Sequence, residues 1–134
     1  MRVTAGHPCR AEIDGMELQV GGPPLVAQVG ADRWTGEDGS NGLTFKRNDV
    51  AQARLYADQL FDGDGTPLVR VLQNGDIADR VGRIVRHARA SDNAVLVEDK
   101  RVTNTTNLAL AAFLVAPEVA PALRGLVACH YLLR

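Results

Sequence analysis

Short apolar runs alternating with polar residues, each closed by a turn-forming pair, fill the first half of this chain, and a dense apolar stretch fills its end. The opening pattern is a hairpin: Arg10 to Ile13 and Met16 to Val20 flank Asp14-Gly15, a dipeptide that tolerates the positive φ of a two-residue turn. Gly21-Gly22-Pro23-Pro24 then interrupts the alternation. A third strand is expected over Leu25 to Trp34, with Leu25, Ala27 and Val29 on one face, and it leads into a polar loop from Thr35 to Asn41. Leu43-Thr44-Phe45 follows as a short apolar run.

Two segments fit a helical period. Val50, Ala53, Ala57, Leu60 and Phe61 fall on one face of a helix over about 49–61, with Asp49 as N-cap, Gln52 placed to reach back to the cap amide, and Gly63 suited to end it. Ile77, Val81, Ile84, Val85 and Ala88 form the stripe of a second helix over about 77–90, preceded by Asn74-Gly75-Asp76 and weakened only by Gly82. Between them, Asp62-Gly63-Asp64-Gly65 reads as a turn and Pro67 to Leu72 as a strand. Ala94 to Thr103, with β-branched Val95, Val97, Val102 and Thr103, reads as a further strand. Leu108 to Val115 fits either a helix capped by Thr105, Thr106 or Asn107, or a strand buried on both faces. Pro117 and Pro121 break the chain there, and Leu123 to Leu133 is expected as a strand in preference to a helix. The sum is an α+β fold: one domain over 1–134, a mainly antiparallel sheet and two amphipathic helices.

Composition supports one folded domain and little else. The chain has 134 residues, 46% of them hydrophobic and 23% charged, and no internal repeat is evident. A formal net charge of -1 supplies no overall field to draw it onto nucleic acid or an anionic membrane. The apolar run Leu108 to Ala116 is half the length that spans a bilayer. The first residues lack the apolar core of a secretory signal, so a cytoplasmic location, host or viral, is expected.

Candidate chemistry is thin. His7, Cys9, Cys129 and His130 offer the ligand types of a zinc site, but adjacent Cys129 and His130 would point to opposite faces of a strand. Two separately buried, reduced cysteines are the preferred reading over metal or a Cys9 to Cys129 disulfide. Ser40 lies in a turn rather than a nucleophile elbow, and Ser91 sits four residues from His87 where a helix should end. The calcium-loop start at Asp62 has Gln73 where a bidentate glutamate belongs. Asp32, Glu37 and Asp38 flank Trp34 in what reads as a solvated loop, and no phosphate-cradling Gly-Lys-Ser motif occurs. Asn104-Thr105-Thr106 matches a glycosylation sequon that a cytosolic chain would leave bare.

One cluster stands out. On the expected second helix Arg80, Arg83, Arg86 and Arg89 lie away from the apolar stripe, a face able to neutralise phosphates or to contact a subunit. No cofactor and no catalytic residues are expected. The sequence points to a non-enzymatic assembly or binding module, a homo-oligomer or a structural component of a virus-like or phage-like particle, with Trp34, Arg83 and Arg86 as partner contacts. A small nucleic-acid-binding protein using the four arginines is the first alternative, and an enzyme using Cys129, His130, His87 and the loop acids is the second.

Overall fold

Among the described residues thirteen antiparallel strands follow one another in sequence order, each paired with the next, and two helices come after them. The computed structural model describes residues 2–4, 6, 8–103 and 106–133, the side chains of Arg2 and Thr103 excepted. The strands are β1 (Arg2–Thr4), β2 (Cys9–Ile13), β3 (Met16–Gly21), β4 (Leu25–Val29), β5 (Asp32–Gly39), β6 (Gly42–Arg47), β7 (Val50–Tyr56), β8 (Gln59–Asp62), β9 (Pro67–Val71), β10 (Asp76–Ala78), β11 (Ile84–Ser91), β12 (Ala94–Val97) and β13 (Lys100–Thr103). The helices are α1 (Leu108–Leu114) and α2 (Pro121–Leu133). First and last strands approach each other, so the meander curls into a shell around the helices.

Alternation explains the shell. Along β2, Cys9, Ala11 and Ile13 are buried while Arg10 and Glu12 face out, and the same two-residue period runs through Leu18 and Val20, Leu25 and Ala27, and Leu43 and Phe45. Cross-strand partners match large with small: Ala27 lies opposite Trp34, Gly36 opposite Phe45, and Phe45 opposite Ala53. These inward rows and both helices form one core cluster.

The sheet expected from the sequence is present; the two expected helices are not where the periodicity put them. Residues 49–61 form the hairpin β7–β8, turning at Ala57-Asp58, and residues 77–90 form β10, a tight loop and β11. Five two-residue hairpin turns, at residues 14–15, 48–49, 57–58, 92–93 and 98–99, hold both central residues at positive φ, the geometry whose twist matches that of the flanking strands. Such a turn resets which residues face inward. Across β7–β8 the buried side chains are Ala53, Leu55 and Leu60, a spacing that mimics a helical stripe without being one. Turns also divide the expected single strands: Leu25 to Trp34 is β4 plus the start of β5, and Ala94 to Thr103 is the hairpin β12–β13. The polar loop expected from Thr35 is instead the outer half of β5, which runs on to Gly39.

Helices stand where strands were favoured or left open. Asn107 caps α1 by accepting from the Leu110 amide at 3.0 Å. In α2, Pro121 takes the first helical position and Leu and Ala dominate, residues that lose little side-chain freedom in a helix. Nine of its thirteen residues are buried, on every side. A helix apolar all round carries no amphipathic signal, which is why the strand template competed so well.

A five-residue turn recurs. Asp62 Oδ1 accepts from the amides of Asp64 and Thr66, both at 2.9 Å, and Asp79 Oδ1 accepts from Val81 and Arg83, both at 3.0 Å. In each the fourth residue, Gly65 or Gly82, donates its amide to the first carbonyl with φ near +85° or +83°. At Gly75 a third such turn is tighter, since a Cβ there would lie 1.9 Å from the Ala88 carbonyl oxygen at φ +93°. Gly75→Ala is therefore expected to cost about 3 kcal/mol in urea unfolding, from strain plus the lost Ala88 to Gly75 hydrogen bond. A loss below about 1 kcal/mol would mean that the loop simply shifts aside.

Candidate functional site

Of the described residues among the sequence-derived candidates, only Asp38 and His130 come to line one cleft. His7 lies outside the described residues. Cys9 on β2 and Cys129 on α2 are joined in a disulfide, with Cα atoms 5.9 Å apart and both residues fully buried. That corrects the expectation of two reduced cysteines, and it removes Cys129 both as a thiol nucleophile and as a metal ligand. Among the described residues no group of three or more His, Cys, Asp or Glu side chains is placed to hold a metal ion. Trp34, expected as a partner contact, is 6% exposed and packs in the core opposite Ala27.

The arginine face dissolves with its helix. Arg80 and Arg83 sit in the β10–β11 turn, Arg86 and Arg89 on β11. Each has a carboxylate partner: Arg80 with Asp62 at 3.6 Å, Arg83 with Asp79 at 3.6 Å, Arg86 with Glu118 at 2.9 Å and Arg89 with Asp99 at 3.5 Å. One terminal nitrogen of the largely covered Arg86 donates to both Glu118 carboxylate oxygens, tying β11 to the segment between the helices. The nucleic-acid alternative loses the geometry on which it stood.

Because consecutive hairpins alternate direction, the turns fall into two sets at opposite poles of the shell. One pole gathers the turns at residues 14–15, 30–31, 48–49, 63–66, 79–83 and 98–99; the other gathers those at 22–24, 40–41, 57–58, 72–75 and 92–93. At the first pole the β10–β11 tip exposes three large apolar side chains: Val81 at 73%, Ile84 at 50% and Val85 at 40%. Their sequence register looked like a buried stripe, and only Ile77 and Ala88 of that stripe are in the core.

At the second pole lies a cleft of 430 Å³. Its walls are Asp38 to Leu43 on the β5–β6 side and Leu55 to Asp58 on the β7–β8 side, with His130 and Tyr131 of α2 as the floor. A smaller recess of 220 Å³ continues past Asp38 and His130 to Pro23, Pro24 and Leu133. Tyr131 donates its hydroxyl to Asp58 Oδ1, which fixes the floor to the β7–β8 turn. Thus His130 does line a concavity, beside Asp38, one of the loop acids grouped with it in the enzyme alternative, and Asp58, which was not. Nothing local in the sequence marks this, since β5, β7 and α2 meet only through the curl of the sheet.

No family model, curated protein or solved structure matches this chain. No helix among the described residues is long and apolar enough to cross a membrane.

Electrostatics at the turns is local. Hydrogen bonds from Arg47 and then Asn48 hold the Asp32 carboxyl below its usual value; His87 and then Asn74 do so for Asp76; the amides of Arg83 and then Val81 do so for Asp79. A depressed folded-state pKa adds stability that is present above the ordinary carboxylate range and lost as pH falls through the depressed value. Unfolding stability is therefore expected to hold down to about pH 5 and to decline below about pH 4, with a shallower decline in Asp79→Asn. An identical decline in that variant would show that Asp79 is not among the responsible groups.

The disulfide closes a loop across 120 residues of sequence. Replacing both cysteines by alanine should lower unfolding stability by about 2–5 kcal/mol, and unreduced native protein should show no titratable thiol. Free thiols in protein purified without reductant would contradict the bond.

Proposed function

We propose that this chain is a non-enzymatic assembly or binding module that engages a protein subunit, its own or another, through the β10–β11 tip. The observation that carries this reading is the exposure of Val81, Ile84 and Val85 within five residues of one turn, whereas the other exposed large hydrophobic side chains among the described residues lie apart, Val26 on β4 and Val50 and Tyr56 at opposite ends of β7. The tip is held stiff by the Asp79 carboxylate, so a partner would meet a preorganised surface and little ordering entropy would be lost. The interior offers no competing role, because the shell that could enclose a ligand is filled by α1 and α2. A repeating subunit of a particle or oligomer is the setting that suits such a chain. The Cys9–Cys129 disulfide favours an oxidising compartment over the cytosol.

Native mass measurement of the untagged protein across a dilution series tests the reading. Assemblies are expected for the wild type and lone chains for a Val81→Ser, Ile84→Ser double variant, both substitutions being at exposed positions. A wild type with the lone-chain mass at every concentration, or a double variant that assembles as the wild type does, overturns it.

A further inference from the structure

Building on that reading, we infer that the β10–β11 tip docks into the cleft at the opposite pole of a second copy of this chain, so that copies join head to tail. Two surfaces of complementary character lie at the two ends of one molecule. The tip carries Val81 and Ile84 with Arg80 and Arg83, whose side chains are 58% and 77% exposed. The cleft carries exposed Tyr56 between Asp38 and Asp58, with the edges of the core residues Leu43 and Leu55 behind it. Apolar residues thus meet an apolar and aromatic wall, and guanidiniums meet carboxylates.

The charges can be exchanged at small cost. Arg80 pairs with Asp62 at the end of β8 and Arg83 with Asp79 of its own turn, both at 3.6 Å and with guanidiniums more than half exposed, so re-pairing across an interface gives up little. The Asp79 oxygen that shapes the turn is engaged with backbone amides and would stay in place. On the other side the floor is already set by the Tyr131 to Asp58 bond, and the cleft encloses 430 Å³. A net charge of -1 leaves little repulsion between copies.

Because donor and acceptor surfaces are different patches, the contact is heterologous, and this allows a complementation test. Take one variant with a damaged tip, Val81→Asp with Ile84→Asp, and one with a damaged cleft, Asp38→Arg with Tyr56→Ala; all four positions are exposed, and circular dichroism verifies folding. Each alone is expected to associate at least about tenfold more weakly than the wild type. Mixed in equal amounts they should form dimers and stop there, since only one intact tip and one intact cleft remain per pair. A cleft variant that associates like the wild type would overturn the inference while leaving the tip as the contact element. A mixture that stays monomeric, or a wild type that never associates, would overturn it as well. Should the Asp38→Arg, Tyr56→Ala protein fail to fold, Asp38→Asn alone is the replacement and must still weaken association.

Discussion

Everything in this molecule is arranged around a helix that is apolar on all sides and must be hidden by the chain that precedes it. A helix such as α2, buried over most of its circumference, could be covered only in part by a single flat sheet; a curled meander covers more of it. The inward rows are graded accordingly. Ala11 on β2 leaves room where Gly125 of α2 comes close, and a Cβ at Gly125 would sit 2.6 Å from a Leu18 methyl. Three tethers then hold the helix along its length. Arg124, 6% exposed, reaches the Leu114 carbonyl at the end of α1 and Asp14 in the β2–β3 turn; Cys129 is bonded to β2; Tyr131 is bonded to the β7–β8 turn. A buried guanidinium whose carboxylate partner is 58% exposed gains less from Coulomb attraction than a fully enclosed pair would, so its value here is positional: it fixes depth and rotation.

Legibility followed the length of the signal. The hairpin at Asp14-Gly15 was readable because its turn dipeptide and both alternating strands are all present within eleven residues. Ala57-Asp58 and Glu98-Asp99 adopt the same turn geometry without glycine, and nothing in their composition announces it. Strands of four to seven residues expose only two or three inward side chains each, so a window long enough to reveal a helix averages over two strands and a turn. Ala53, Leu60 and Ala57 then imitate one helical face, although Ala57 is in fact at an exposed turn. The opposite error befell α2, where burial on every side erased the period that distinguishes helix from strand. Asn107 as a cap was legible as one of three candidates, being a local side-chain to backbone contact.

The chemistry was less legible than the fold because it is written in contacts remote along the chain. Cys9 and Cys129 meet only if α2 runs inside the sheet beside β2, so expecting the terminal segment as a strand also hid the disulfide. Likewise the four arginines form a face only on a helix; on a turn and a strand they separate, and each meets an acid from its own turn, from a neighbouring turn or from the link between helices. The cleft depends on β5, β7 and α2 arriving at one place, which no spacing in the sequence encodes.

The same helix couples the two poles. Arg124 is anchored at the pole that carries the β10–β11 tip, through Asp14, and Tyr131 at the pole that carries the cleft, through Asp58. With α2 rigid and buried between these anchors, the angle between tip and cleft is set by the fold rather than left to a linker. A heterologous contact repeated at a fixed angle closes into a ring if the rotation divides a full turn and otherwise continues as a helical filament. The disulfide joins α2 to β2 and so belongs to the group of contacts that holds this angle, which makes the redox state of Cys9 and Cys129 a determinant of how uniform such an assembly would be as well as of how stable the subunit is.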